Sequence, residues 1–168
     1  PSVEYIGTNA FYQAPLTSLT FEPGSQLHTI GLQVFRYHRL TSLVIPANVS
    51  TIGYKSFEQH EDHKTLTSVE FESGSVLSSL ENLIFNNTLL SSIIIPASVT
   101  TIVGTPFPNT LNIVEFEKNS QLSSIDASAL STTNVQKIIA DQNIIDSMGW
   151  TRSKTTTPPT LNTIAGKS

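Results

Sequence analysis

The feature that most constrains this chain is that it repeats itself in register. Residues 16–31, LTSLTFEPGSQLHTIG, return as LTSVEFESGSVLSSLE at 66–81 and as LNIVEFEKNSQLSSID at 111–126. Shorter versions lie between them, LTSLVIPANVSTIG at 40–53 and LSSIIIPASVTTIV at 90–103. The units open at Leu16, Leu40, Leu66, Leu90, Leu111 and Val135, at spacings of 24, 26, 24, 21 and 24 residues. A period in this range is the signature of a solenoid, in which each unit is one winding of the chain.

The apolar positions keep fixed offsets within each unit. The first carries Leu16, Leu19, Phe21, Leu27, Ile30 and Phe35, and the second Leu40, Leu43, Ile45, Val49, Ile52 and Phe57. The third gives Leu66, Val69, Phe71, Leu77, Leu80 and Phe85, and the fourth Leu90, Ile93, Ile95, Val99, Ile102 and Phe107. The front half of each unit ends in a period-2 alternation rich in β-branched and aromatic residues, which predicts a short strand. The back half bends through Gly, Pro or Asn and returns. Six buried side chains cannot offset the entropy of fixing about two dozen residues, so each unit must bury its faces against its neighbours.

Two unit types alternate. In the shorter type Pro46 and Pro96 follow the strand, where a residue without an amide hydrogen ends pairing. In the longer type a turn carrying Gly24, Gly74 or Asn119 replaces the proline, and these residues tolerate positive φ. The ends follow the same logic. VEYIGTNAF at 3–11 matches the back half of a short unit, so an upstream coil is expected to cover that face in a longer parent. Val135, Ile138, Ala140 and Ile144 are expected to continue a short unit, with Met148 and Trp150 closing the core. The expected organisation is therefore a repeat domain of about six coils over 1–150, followed by a polar tail at 151–168 that serves as linker or capping strap.

The units resemble the BspA-like, or Treponema pallidum-type, leucine-rich repeats: a leucine strand, a proline, an apolar-x-x-Ile-Gly step and an Ala-Phe step. LTSLVIPANVSTIGYKSF and LSSIIIPASVTTIVGTPF carry that pattern nearly whole, and NAF at 9–11 matches its last step. Where many members place Cys after the Phe step this chain has Ala14, His38 and Thr88, and Val103, Glu81 and Asp126 interrupt the Ile-Gly step. The resemblance implies a leucine-rich repeat solenoid with a parallel sheet on its concave face. It further implies an irregular, short 3-10 or β convex side and little regular helix. It also implies a cell-surface or secreted protein that adheres to host matrix proteins or other cells.

In such a solenoid the strands stack about 4.8 Å apart, and side chains between the core positions form outer columns. One column reads Thr20, Val44, Glu70, Ile94, Glu115, Ile139, and its neighbour Glu22, Pro46, Glu72, Pro96, Glu117, Asp141. Apolar rungs within an acidic frame suit a protein or peptide ligand that carries lysine or arginine beside apolar groups. The same β-branched residues also simply stiffen a sheet. The expected ligand-binding set is Thr20, Val44, Glu70, Ile94, Glu115 and Ile139 with Glu22, Glu72 and Glu117; the alternative is a structural spacer in a larger surface assembly.

Other chemistries find less support. A formal charge of −4, a pI near 5.5 and the lack of any Lys/Arg run argue against nucleic-acid partners and anionic membranes. No stretch approaches the roughly 20 apolar residues of a membrane span, and the first residues lack a charged-then-apolar leader, so membrane insertion is not expected. Without cysteine there is no disulfide or thiolate metal site. Glu70 and Glu115, two rungs and about 10 Å apart, approach the separation of an inverting glycosidase pair, but a flat sheet offers no enclosure. HEDH at 60–63 could hold a divalent metal and equally reads as a solvated loop, and no G-x-S-x-G elbow accompanies the serines. No cofactor and no catalysis are expected. NVS at 48–50 and NNT at 86–88 are formal glycosylation acceptors.

Overall fold

The alternation in each front half does become a strand wherever a neighbouring coil can pair with it. The computed structural model describes residues 2–150, and the polar segment 151–168 lies outside them. The longer strands are β3 (Ser42–Ile45), β5 (Ser68–Phe71), β7 (Ser92–Ile95), β9 (Ile113–Phe116) and β11 (Lys137–Ile139). In β3 and β7 exposed and buried positions alternate strictly, as a half-buried strand requires. Two-residue strands, β1 (Tyr5–Ile6), β2 (Thr29–Ile30), β4 (Thr51–Ile52), β6 (Ser79–Leu80), β8 (Thr101–Ile102) and β10 (Ser124–Ile125), line a second face. All pairings are parallel and join successive coils in register, for example Leu43 to Val69 and Ile93 to Val114.

A third side is built from turns rather than strands. Positive φ recurs at Asn9, Gln33, Lys55 and Leu83, and again at Gln13, Tyr37 and Asn87, so three of these windings turn sharply twice and the one with Lys55 once. The amides of Phe11, Phe35, Phe57 and Phe85 donate to carbonyls of Val34, Ser56, Ile84 and Pro106 in the next coil at 2.9–3.1 Å. Their rings stack in turn, with centroids 5.4 Å apart for Phe11–Phe35, 5.3 Å for Phe35–Phe57 and 6.0 Å for Phe57–Phe85. Ile45, Ile95 and Phe116 are buried, and half-buried Phe21 and Phe71 pack against the same core, so one spine runs through the coils.

The glycine of the Ile-Gly step has a steric reason. A Cβ on Gly53 would lie 2.8 Å from the carbonyl carbon of Gly31, and one on Gly31 would lie 2.9 Å from the Thr8 amide nitrogen. Backbones of adjacent coils touch at this corner.

The ladder on the long-strand face, expected to run unbroken, is interrupted. It divides into β3–β5 and β7–β9–β11, and the front half of the first unit, residues 16–21, carries no strand. Both interruptions fall where a long unit meets a short one that ends in proline. Glu72 donates its amide to Ile45 at 3.0 Å and Glu117 to Ile95 at 3.0 Å, closing the long-on-short steps. Pro46 and Pro96 have no hydrogen to give Phe21 and Phe71 in the same way. The next such step, β9 to β11, has Asp141 in place of the proline, and it pairs. The two-residue strands also divide, into β1–β2–β4 and β6–β8–β10. That break falls beside the widest unit spacing, where Glu81 takes the place of the close-approach glycine.

The last unit departs from the short type. After β11 the chain forms α1 (Gln142–Ser147), burying Ile144 and Ile145 where the sequence was expected to continue a short unit. The sequence there lacks the proline, and Ile144, Ile145 and Met148 share one helical face. Trp150 is buried, its ring 5.9 Å from Phe116, and half-buried Met148 packs beside it.

Candidate functional site

The long-strand face holds most of the residues singled out from the sequence. Val44 lies opposite Glu70, Ile94 opposite Glu115, and Glu115 opposite Ile139. Val44 is 45% exposed and Ile94 53%, high values for aliphatic side chains on a rigid sheet. Glu70 is exposed, whereas Glu115 and Ile139 are half-buried. Thr20 and Glu22 are exposed but lie on the strandless segment, outside the ladder. They border a groove of about 540 Å³ at the N-terminal coil whose apolar lining includes Tyr5, Phe11, Leu19 and Phe21.

Glu72 and Glu117 have a role the sequence reading missed. Glu72 Oε2 accepts from the Ala47 amide at 3.0 Å, and Glu117 Oε2 from the Ala97 amide at 2.9 Å. The second and third long units thus reach back to bind the amide just after the proline of the preceding short unit. Asp141 Oδ2 does the same for Asn119 at 2.9 Å, which leaves α1 without a side-chain cap. A charge-assisted bond of this kind orients the carboxylate and commits one oxygen to the scaffold. The alternation of Glu and Pro down this column was the available signal.

A groove of about 480 Å³ opens at the seam between β5 and β7. Its walls include Ser68, Glu70 and Phe71 on one side and Ser92 and Ile94 on the other, with Glu117 at its end. Pro96 supplies this step with neither an amide donor nor a carboxylate, so both bonds that close the long-on-short steps are absent.

The remaining candidates have structural explanations. His60 and Asp62 approach at 3.4 Å and His60 and His63 ring centroids at 6.0 Å, yet among the described residues no group of three ligands forms a metal site. Glu70 and Glu115 stay two rungs apart on an open face. Both sequons are tied up: Asn48 Nδ2 donates to Ser25 O at 2.8 Å, and Asn86 Nδ2 to Glu58 Oε1 at 3.0 Å. The Thr88 hydroxyl, wholly buried, donates to Phe85 O.

Thr88 belongs to a buried polar column that sequence reasoning did not assign. At the equivalent place His38 Nδ1 accepts from the Leu40 amide at 2.9 Å, and Nε2 faces Phe57 O at 3.3 Å. Nε2 therefore carries the proton, and burial pushes the imidazole down from its ordinary value near 6.5 to about 4. In the next unit Gln59 does the equivalent work, its Oε1 accepting from the Thr65 and Leu66 amides at 2.8 Å each. On the outer wall, buried Glu58 accepts from Arg36 and Asn86 and lies 3.4 Å from Lys55, while Arg36 sits 4.3 Å over the Tyr37 ring. Burial lowers and the Glu58 bond raises the Arg36 pKa, with a net rise, so the guanidinium stays charged.

Comparison with known proteins agrees with this architecture. The model of the BspA type leucine-rich repeat region matches in six copies over residues 1–67 and 28–155. Comparison with curated proteins found no match. The pneumococcal vaccine antigen PcpA is similar in structure, with a TM-score of 0.68 and 19% identity over 88% of this chain and 47% of PcpA. A leucine-rich cell surface protein from Faecalibacterium prausnitzii A2-165 is similar with a TM-score of 0.61 and 23% identity, over 76% of this chain and 34% of that one. The chain thus spans less than half the length of either structure. With the repeat matched from end to end of its described coils, the chain belongs to the BspA-type leucine-rich repeat family.

Proposed function

We propose that this chain is a cell-surface or secreted module that binds a protein or peptide ligand on its long-strand face. The observation that carries this is the outward row Val44, Glu70, Ile94, Glu115, Ile139: exposed Val44 and Ile94 and half-buried Ile139 alternate with carboxylates across two pre-formed ladders. Such a surface loses little entropy on binding, because the scaffold has already ordered it. Two structurally similar proteins are described as a vaccine antigen and a cell surface protein, which favours a surface location. A spacer role is the second reading, favoured by the scaffold bonds of Glu72 and Glu117.

The test uses purified chain against a panel of immobilised extracellular-matrix and cell-surface proteins, measured by biolayer interferometry. A variant carrying Glu70→Lys and Glu115→Lys should lose binding at least tenfold while keeping its circular dichroism spectrum. A panel with no binder, or a binder indifferent to that reversal, would leave the spacer reading standing.

A further inference from the structure

We propose that the seam between β5 and β7 is where an extended peptide segment sets down a lysine or arginine side chain, with an aliphatic neighbour resting on Ile94. This rests on the function proposed above and narrows it to one groove and one chemistry. Pro96, like Pro46 at the first step, leaves the seam without the amide and carboxylate that close the long-on-short steps; of the two, only the Pro96 seam is flanked by strands on both sides. Phe71 correspondingly remains half-buried while Ile45, Ile95 and Phe116, its counterparts on neighbouring strands, are fully buried.

Charge identifies the occupant. Glu70 and Glu117 line the groove, and no lysine or arginine does. Among the described residues the ion pairs are Arg36–Glu58, Lys55–Glu58 and His60–Asp62, none of them at the groove. Glu117 is held in place by its bond to the Ala97 amide, so its charge is positioned without being neutralised. A long cationic side chain suits these walls, laying its methylenes along Ile94 and Phe71 with its head between the two carboxylates. The Ser68 and Ser92 hydroxyls supply further acceptors for a guanidinium or ammonium.

Shape narrows the occupant further. The groove runs alongside four-residue strands, about 13 Å in length. A helix is about 10 Å across and would ride over such a slot. An extended segment places alternate side chains downward about 7 Å apart, so a cation and an aliphatic residue can both reach the floor.

The probe is a blocked heptapeptide alternating valine and lysine, titrated into the isotope-labelled full chain and followed by amide chemical shifts. Saturable shifts are expected at Ser68, Glu70, Ser92 and Ile94. Glu70→Lys should weaken the peptide at least tenfold and Ile94→Ser at least threefold, and a peptide with glutamate for lysine should not bind. Pro96→Ala, which restores an amide opposite Phe71, should tighten the seam and weaken the peptide as well. Shifts confined to Glu115 and Ile139 would overturn the seam while leaving the face as the binding surface. Peptide that does not bind, or that binds Glu70→Lys unchanged, would overturn the seam alone, since the matrix-protein panel reports on the broader reading without this peptide. Shifts at these residues that grow with protein concentration and need no peptide would assign the groove to a second copy of this chain, which also overturns the proposal.

Discussion

Lowering the pH should destabilise this solenoid through one buried imidazole. His38 is 1% exposed, is neutral at pH 7 and is held near a pKa of about 4 by burial, against 6.5 for an ordinary histidine. As pH falls below about 6.5 the unfolded chain takes up a proton that the folded chain refuses. Stability is therefore lost progressively between about pH 6.5 and about pH 4, and the loss levels off once both states are protonated. Depressing the folded-state value by that interval corresponds to roughly 3 kcal/mol. Carboxylates titrate toward the lower end of the same window, so the control matters. Thr88 fills the equivalent position two units on, its hydroxyl bonded to Phe85 O, and His38→Thr copies it with a group that does not titrate. Urea unfolding followed by circular dichroism at pH 7 and pH 4.5 should show a fall in wild-type stability larger by roughly 2–3 kcal/mol than the fall in the variant. The variant will be weaker at pH 7, because threonine fills less of the pocket. Only the difference in slope bears on the imidazole. Equal slopes, or an imidazole that titrates near 6.5 by NMR, would refute the burial account.

Two further outcomes follow from the contacts between coils. Gly53→Ala should cost about 1–3 kcal/mol, read as a lower thermal midpoint, because its methyl would sit 2.8 Å from the Gly31 backbone and force the coils apart. Glu117→Ala should cost about 1–2 kcal/mol and selectively speed hydrogen exchange at the Ala97 amide, which loses its acceptor.

The windings were legible because a core residue repeats wherever the geometry repeats. Leu43, Val69, Ile93 and Val114 share an offset in the sequence, and Leu43 pairs with Val69 and Ile93 with Val114. The outer column followed from the same register, since odd and even strand positions face opposite ways. What stayed hidden depends on contacts between unlike units. Pro96 announced that a strand ends, but the missing bond to the coil before it could be seen only once that coil was placed. Glu72 and Glu117 looked like free surface charge because their partners, the Ala47 and Ala97 amides, lie 20 or more residues away in sequence. The α1 turn was missed because a helix of only six residues leaves a weak periodic signal beside five strong β repeats.

The carboxylate that reaches back to the previous winding makes the pair of units, rather than the single unit, the indivisible tile of this scaffold. Splicing out one winding would set glutamate against glutamate, or proline against proline, and strand an amide with no acceptor. Removing or adding two together preserves the alternation, so lengths that differ by even numbers of turns are the ones this architecture can explore cheaply.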